Sequence, residues 1–99
     1  MNKRIMGNTK SIKNIILDIF NKPGVKEKFN ENLAIAYWDS VVGREISRHT
    51  DPQKVVAGTI FVKVDDATWR NELTFFKNEI IQKLNQKIGK KVINEIKFY

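Results

Sequence analysis

Ile12, Ile15, Ile16, Ile19 and Phe20 recur at steps of three and four residues, the period of one helix face. Ser11 in front of them offers a hydroxyl to cap a helix N-terminus, and Pro23-Gly24 behind them stops it. The helical pattern resumes at Val25 and runs to Val42. Phe29, Leu33, Ala36, Tyr37 and Val41 then share a face, with Trp38 on its flank as a core anchor near the helix end. Gly43 follows as a close-packing or stopping residue, and Pro52 pushes Asp51 out of the helical region to make a turn.

Beyond that turn the period falls to two. KVVAGTIFVKVDD predicts two short strands around Ala57-Gly58-Thr59, with Ile60, Val62 and Val64 on one face and Phe61 and Lys63 on the other. Asp66 is placed to cap a further helix, whose stripe of Trp69, Leu73, Phe76, Ile80 and Leu84 predicts one continuous element ended by Gly89. The closing KKVINEIKFY alternates again. The predicted order is helix, helix, strand, strand, helix, strand. Its last strand is expected to return parallel to one of the first two, giving a small α+β sandwich with helices on a three-stranded mixed sheet. No repeat or long linker interrupts it. Residues 1–10 are expected as a flexible basic arm, and residues 11–99 as one domain.

Composition narrows the function more by exclusion than by assertion. Ninety-nine residues with 41% hydrophobic content can bury one modest core. Without cysteine there is neither a disulfide framework nor a thiolate metal site. No apolar run approaches the roughly 20 residues of a membrane helix. Lys13 and Asp18 interrupt the apolar stretch that a secretion signal would need, so the expected compartment is the cytosol.

The net charge is +7, with 18 basic residues of which 14 are lysine. Enrichment in Lys, Ile and Asn is also what an AT-rich coding sequence produces without selection. The distribution adds something. Residues 1–28 carry +5, residues 29–66 carry −2 and residues 67–99 carry +4. Two basic ends around a mildly acidic middle suit a polyanion, because phosphate contacts come from clustered Lys and Arg.

Catalytic chemistry finds little support. His49 stands near Ser47, Thr50 and Asp51, but adjacency in sequence does not aim these groups at one another, and His49 reads as a polar residue in an exposed turn. Asp65-Asp66 lacks the further oxygens that a hard cation needs. No GxxxxGK[ST] or GxGxxG phosphate loop occurs. If the helices cover only one sheet face, the other presents Lys63 and Lys97 beside Phe61 and Tyr99, which are candidates for holding phosphates and stacking bases. If the first two helices cover that face instead, Phe61 is core. Lys90-Lys91 is a compact basic pair that touches phosphate or complements a helix C-terminus. Glu79 and Lys83 form an i,i+4 pair on a solvated helix face, from which Phe75 also points, and an exposed aromatic there indicates a protein contact.

In order and near-regular spacing, WDSVVGREISRHTDP, GTIFVKVDDATWRNEL, IIQKLNQKIG and VINEIKF resemble the DciA-like family, long catalogued as a domain of unknown function. The matches that carry the resemblance are Trp38, Gly43, Thr50, Trp69, Glu72, Leu73, Leu84, Asn85 and Gly89, and it runs from about residue 11 to residue 99. The resemblance implies a KH-like fold, a bacterial protein, and a role in binding DNA and bringing the replicative DnaB-type helicase onto it without an ATPase of its own. The GxxG clamp of a true KH domain is absent here. Longer family members also carry a flexible tail after this domain.

The expected function is therefore a non-enzymatic DNA-binding module of helicase-loader type, taking single- or double-stranded DNA with tolerance of sequence. Phosphate contacts are expected from Lys3, Arg4, Lys10 and Lys13, from Arg44 and Arg48, and from Lys63, Lys90, Lys91 and Lys97, with Phe61 and Tyr99 as stacking candidates and Phe75 as the protein-partner contact. No cofactor, metal, membrane or small-molecule substrate is expected. The alternatives are a protein-interaction adaptor whose charge is compositional drift, and a KH-like RNA-binding module.

Overall fold

A computed structural model describes the backbone of residues 2–99 and the side chains of residues 11–99. The basic arm expected over residues 1–10, with Lys3, Arg4 and Lys10, lies outside the described side chains. Helix α1 (Asn2–Phe20) leads through the Pro23-Gly24 turn into α2 (Val25–Val42) and, after a break at Gly43, the single turn α3 (Arg44–Ser47). Strands β1 (Thr50–Val56) and β2 (Thr59–Val64) form a hairpin. Helix α4 (Ala67–Leu73), a 3-10 turn (Thr74–Phe76) and α5 (Lys77–Ile88) then lead to β3 (Glu95–Phe98). The sheet order is β1-β2-β3, antiparallel in the first pair and parallel in the second. This is the expected α+β, KH-like arrangement of helices on a three-stranded mixed sheet.

The hairpin turns on Ala57 and Gly58, both with positive φ (49° and 82°), the backbone that matches the twist of a two-residue connection. A Cβ on Gly58 would also lie 2.7 Å from the Asn94 side chain, while Asn94 donates its backbone N–H to the Gly58 carbonyl at 2.9 Å. Close approach and handedness both require glycine there. Gly89 ends α5 in the left-handed region, as its position predicted. Asp66 caps α4 by accepting the Trp69 N–H at 3.0 Å.

The core lies between one sheet face and helices α2 and α5. Ile60, Val62, Val55 and Ile96 from the sheet meet Ala34 and Trp38 of α2 and Ile80 and Leu84 of α5, with Ile93 closing the end. Burying such aliphatic side chains stabilises the fold by roughly 1.5–3 kcal/mol each before entropy is charged. Trp38 is fully buried, and its indole N–H donates to the Thr50 hydroxyl at 2.9 Å, which in turn donates to the Ile46 carbonyl at 2.9 Å. The single polar atom of the largest core side chain is thereby satisfied.

Four expectations change. Asp51 and Pro52, expected as a turn, are paired residues of β1, opposite Lys63 and Val62. Ser11 lies within α1 and does not cap it, because the helix starts earlier. In α2 the inward positions are Ala34 and Trp38, while Phe29 and Ala36 are exposed. The expected continuous helix over residues 67–88 is broken at Thr74–Phe76. Leu73, Ile80 and Leu84 remain core, but Phe76 is exposed and Trp69 only half-buried, since a 3-10 turn shifts the helical phase.

Helix α1 stands apart. The molecule is 61 Å long against 25 and 20 Å in the other directions, and among the described residues none of α1 belongs to the core cluster. Its described aromatic contact to α2 is the edge-on pair of Phe20 with Phe29, ring centroids 5.4 Å apart. No helix among the described residues is long and apolar enough to cross a membrane.

Candidate nucleic-acid interface

The outward face of the sheet follows from the inward one by alternation. Val55, Ile60, Val62, Val64 and Ile96 point into the core, so Lys54, Phe61, Lys63 and Lys97 point away from it. Register sets them in rows. Lys54 lies opposite Phe61, and Phe61 opposite Lys97, so one aromatic ring stands between two lysines across all three strands. In the next row Asp51 faces Lys63. Tyr99 continues β3 by main-chain bonds, its N–H donating to the Val62 carbonyl at 3.0 Å and its carbonyl accepting the Val64 N–H at 2.7 Å. Tyr99 thus adds an exposed aromatic two residues beyond Lys97.

Lys54 holds its ammonium 5.2 Å from the Phe61 ring centroid. Among the described residues Lys54, Lys63 and Lys97 form no ion pair, whereas Glu95 on the same face is matched by Lys77 at 3.5 Å. An open groove of about 530 Å³ runs between β3 and the 3-10 turn, with Phe61, Lys77, Thr74 and Lys97 in its walls. Three unpaired lysines around a half-buried ring can neutralise phosphates and offer a π-face to a base.

The other expected phosphate contacts do not gather on this face. Lys13 is exposed on α1. Arg44 and Arg48 are exposed on and just after α3, where Arg48 pairs with Glu45 at 3.4 Å. Lys90 and Lys91 follow α5 and line a shallow pocket together with Glu27 and Glu31 of α2. Phe75 is 78% exposed, and its chain neighbour Phe76 lines a shallow groove with Trp69.

His49 departs from the sequence reading. It donates Nδ1–H to the Asp65 carboxylate at 3.0 Å, and its ring stacks on Trp69 with centroids 4.7 Å apart. The main chain ties the same pair, since the Asp65 N–H donates to the His49 carbonyl at 3.1 Å. Nearby hydroxyls are occupied elsewhere: Ser47 donates to Asp39 at 2.8 Å, and Thr50 lies between Trp38 and Ile46. Among the described residues no nucleophile is hydrogen-bonded to the imidazole, and the cluster clasps the start of β1 to the end of β2 and to α4.

Sequence reasoning missed two features. Lys54 escaped notice because a bulge between Pro52 and Lys54 shifts the alternation of β1. The His49–Asp65 pair joins residues 16 apart, a contact that no local spacing announces.

Fold and surface together define a small KH-like α+β module with an open, lysine-flanked sheet face. The family model for DciA, "Dna[CI] antecedent", matches residues 11–98, and the chain belongs to that family. It is also similar to a UPF0232 protein of Corynebacterium glutamicum (strain R), 21% identical over 97 residues. That match covers 98% of this chain and 54% of the relative, so the chain spans about half the relative's length.

Proposed function

We propose that this chain is a non-enzymatic DNA-binding module that assists loading of a replicative DnaB-type helicase in the cytoplasm. The observation that carries the DNA part is the row Lys54–Phe61–Lys97 on an uncovered sheet face, extended by Lys63 and Tyr99. Lysines neutralise the backbone without reading sequence, and aromatic rings accept any base, so binding is sequence-tolerant and weakens with salt. Lys13, Arg44, Arg48, Lys90 and Lys91 are secondary contacts, with Lys3, Arg4 and Lys10 from the N-terminal segment. Membership of the DciA family supports the loading part.

The test is a salt-titrated binding assay with single-stranded DNA, duplex DNA and single-stranded RNA of equal length. Affinity for DNA should fall steeply between low and moderate salt. A Lys63→Ala/Lys97→Ala variant should flatten the dependence by about 0.7 of a slope unit per lost phosphate contact on a single strand. A salt-insensitive affinity overturns the reading, and tighter binding to RNA replaces DNA as the ligand.

One observation favours a protein-contact role beside this one. Phe75 and Phe76 expose aromatic surface where α4 passes into α5, and Phe76 shares a shallow groove with Trp69. We place the helicase contact there. If purified helicase binds while no nucleic acid does, the chain is an adaptor.

A further inference from the structure

The groove between β3 and the 3-10 turn holds one carboxylate among its lysines. Glu95 stands on the outward sheet face with Lys97, and it is held from two sides. Its Oε1 accepts the Ile96 N–H at 2.8 Å and lies 3.5 Å from the Lys77 ammonium. Among the described residues its Oε2 has no hydrogen-bond partner, and the side chain is 55% exposed. Phosphate binding gives this group no role, because a carboxylate repels the backbone that Lys97 attracts. Its position relates it to Phe61 instead. Phe61 pairs with Lys97 and Thr59 with Glu95, so Phe61 and Glu95 are diagonal neighbours on one face, about 8 Å apart at Cα by strand spacing. Phe61, Lys77, Glu95 and Lys97 all line the same open groove. A base stacked on Phe61 at this corner turns one edge towards the Lys77–Glu95 pair.

We infer that this groove is a subsite for one unpaired guanine, with Phe61 beneath the base and Glu95 and Lys77 reading its pairing edge. The inference rests on the DNA-binding reading and adds one base preference to contacts that are otherwise sequence-tolerant. The order of donors and acceptors selects the base. Guanine presents two adjacent donors, N1–H and the N2 amino group, followed by the O6 acceptor. A carboxylate accepts the two donors together, and an ammonium donates to the oxygen beside them. Cytosine and adenine each offer one amino group next to a ring acceptor, and thymine offers one N–H between two carbonyls. Each therefore forms one charge-assisted bond to Glu95 where guanine forms two. The carboxylate has acceptor capacity for this, since its contacts with Ile96 and Lys77 leave lone pairs on Oε1 and Oε2. In a duplex the same edge is occupied by the opposite strand, so the subsite takes guanine only where the base is unpaired.

The experiment uses the full chain and thymine oligonucleotides of equal length, in which isolated positions carry guanine, adenine, cytosine, hypoxanthine or 7-deazaguanine. Isolated guanines avoid quadruplexes. The guanine strand should bind at least about fivefold more tightly than the adenine, cytosine and plain thymine strands. Hypoxanthine lacks the N2 amino group and should lose most of that gain. The deaza base keeps the whole pairing edge and should retain it. Glu95→Gln can still accept the Ile96 N–H but replaces one carboxylate oxygen with a donor. Its guanine-to-thymine affinity ratio should fall towards unity, whichever way the overall affinity moves, with folding verified by circular dichroism. Equal affinity for all the strands, or preference for another base, overturns the guanine subsite and leaves the DNA-binding reading standing. A guanine preference that survives hypoxanthine or Glu95→Gln does the same. A chain that binds none of the strands overturns both.

Discussion

Lys54 rests its ammonium 5.2 Å from the centre of the Phe61 ring, directly across the β1–β2 pair. An exposed cation–π contact is worth about 0.5–1 kcal/mol, while a base stacked on an aromatic side chain is worth about 1–3 kcal/mol. On the proposed DNA-binding reading, a base stacking on Phe61 would displace the ammonium and free it to meet a phosphate. Phe61→Ala should weaken single-strand binding by about 1–3 kcal/mol without changing the salt slope, whereas Lys54→Ala should lower the slope. Fluorescence anisotropy at several salt concentrations separates the two effects.

Thr50 satisfies the buried indole of Trp38, so removing its hydroxyl leaves a donor without a partner. Thr50→Val should destabilise the domain by about 1–3 kcal/mol, read as a lower urea midpoint at unchanged m-value.

Asn85 performs a comparable task at the other end of the core. Its carbonyl oxygen accepts the N–H groups of Val92 and Ile93 at 2.9 and 2.8 Å, and its amide donates to the Ile93 carbonyl at 2.8 Å. Asn85→Ala should cost at least about 2 kcal/mol, because several main-chain groups lose their partners together. Hydrogen exchange should rise first at Val92 and Ile93.

Gly58→Ala should destabilise the hairpin by more than the ~1 kcal/mol of a left-handed residue alone, because the new Cβ also meets Asn94. Adding Asn94→Ala should recover the steric part and leave the conformational part, a difference that a double-mutant cycle in urea measures.

Phe75→Ser should leave the unfolding midpoint almost unchanged, within about 0.5 kcal/mol, because the ring is mostly in water. Helicase affinity measured by calorimetry should fall. A variant that binds as well as the parent removes Phe75 from the contact.

Much of the local structure was legible because its causes are local. The bounds Val25–Val42 follow from the Pro23-Gly24 break and Gly43, the α4 cap from Asp66, and the end of α5 from Gly89. The inward face of α2 was not legible. Apolar side chains sit at consecutive positions 33–38, so periodicity offers several faces, and the bond from Trp38 to Thr50 selects among them. The helix break at Thr74–Phe76 was hidden for a similar reason. The stripe is continuous on paper, yet Trp69 stacks on His49 while Ile80 and Leu84 belong to the core against α2. Two different partners impose two different phases on one run of residues.

The candidate interface divides along the same line. The sequence by itself determined that Phe61, Lys63, Lys97 and Tyr99 alternate away from the apolar positions, because strand geometry leaves no other choice. Only the tertiary structure decided that α2 and α5 pack on the opposite face, so that these residues meet solvent and Lys54 joins them across the hairpin. It also left the Ile stripe of α1 bare. A helical period states which residues share a face, but whether that face is covered depends on where the rest of the chain finds its own burial.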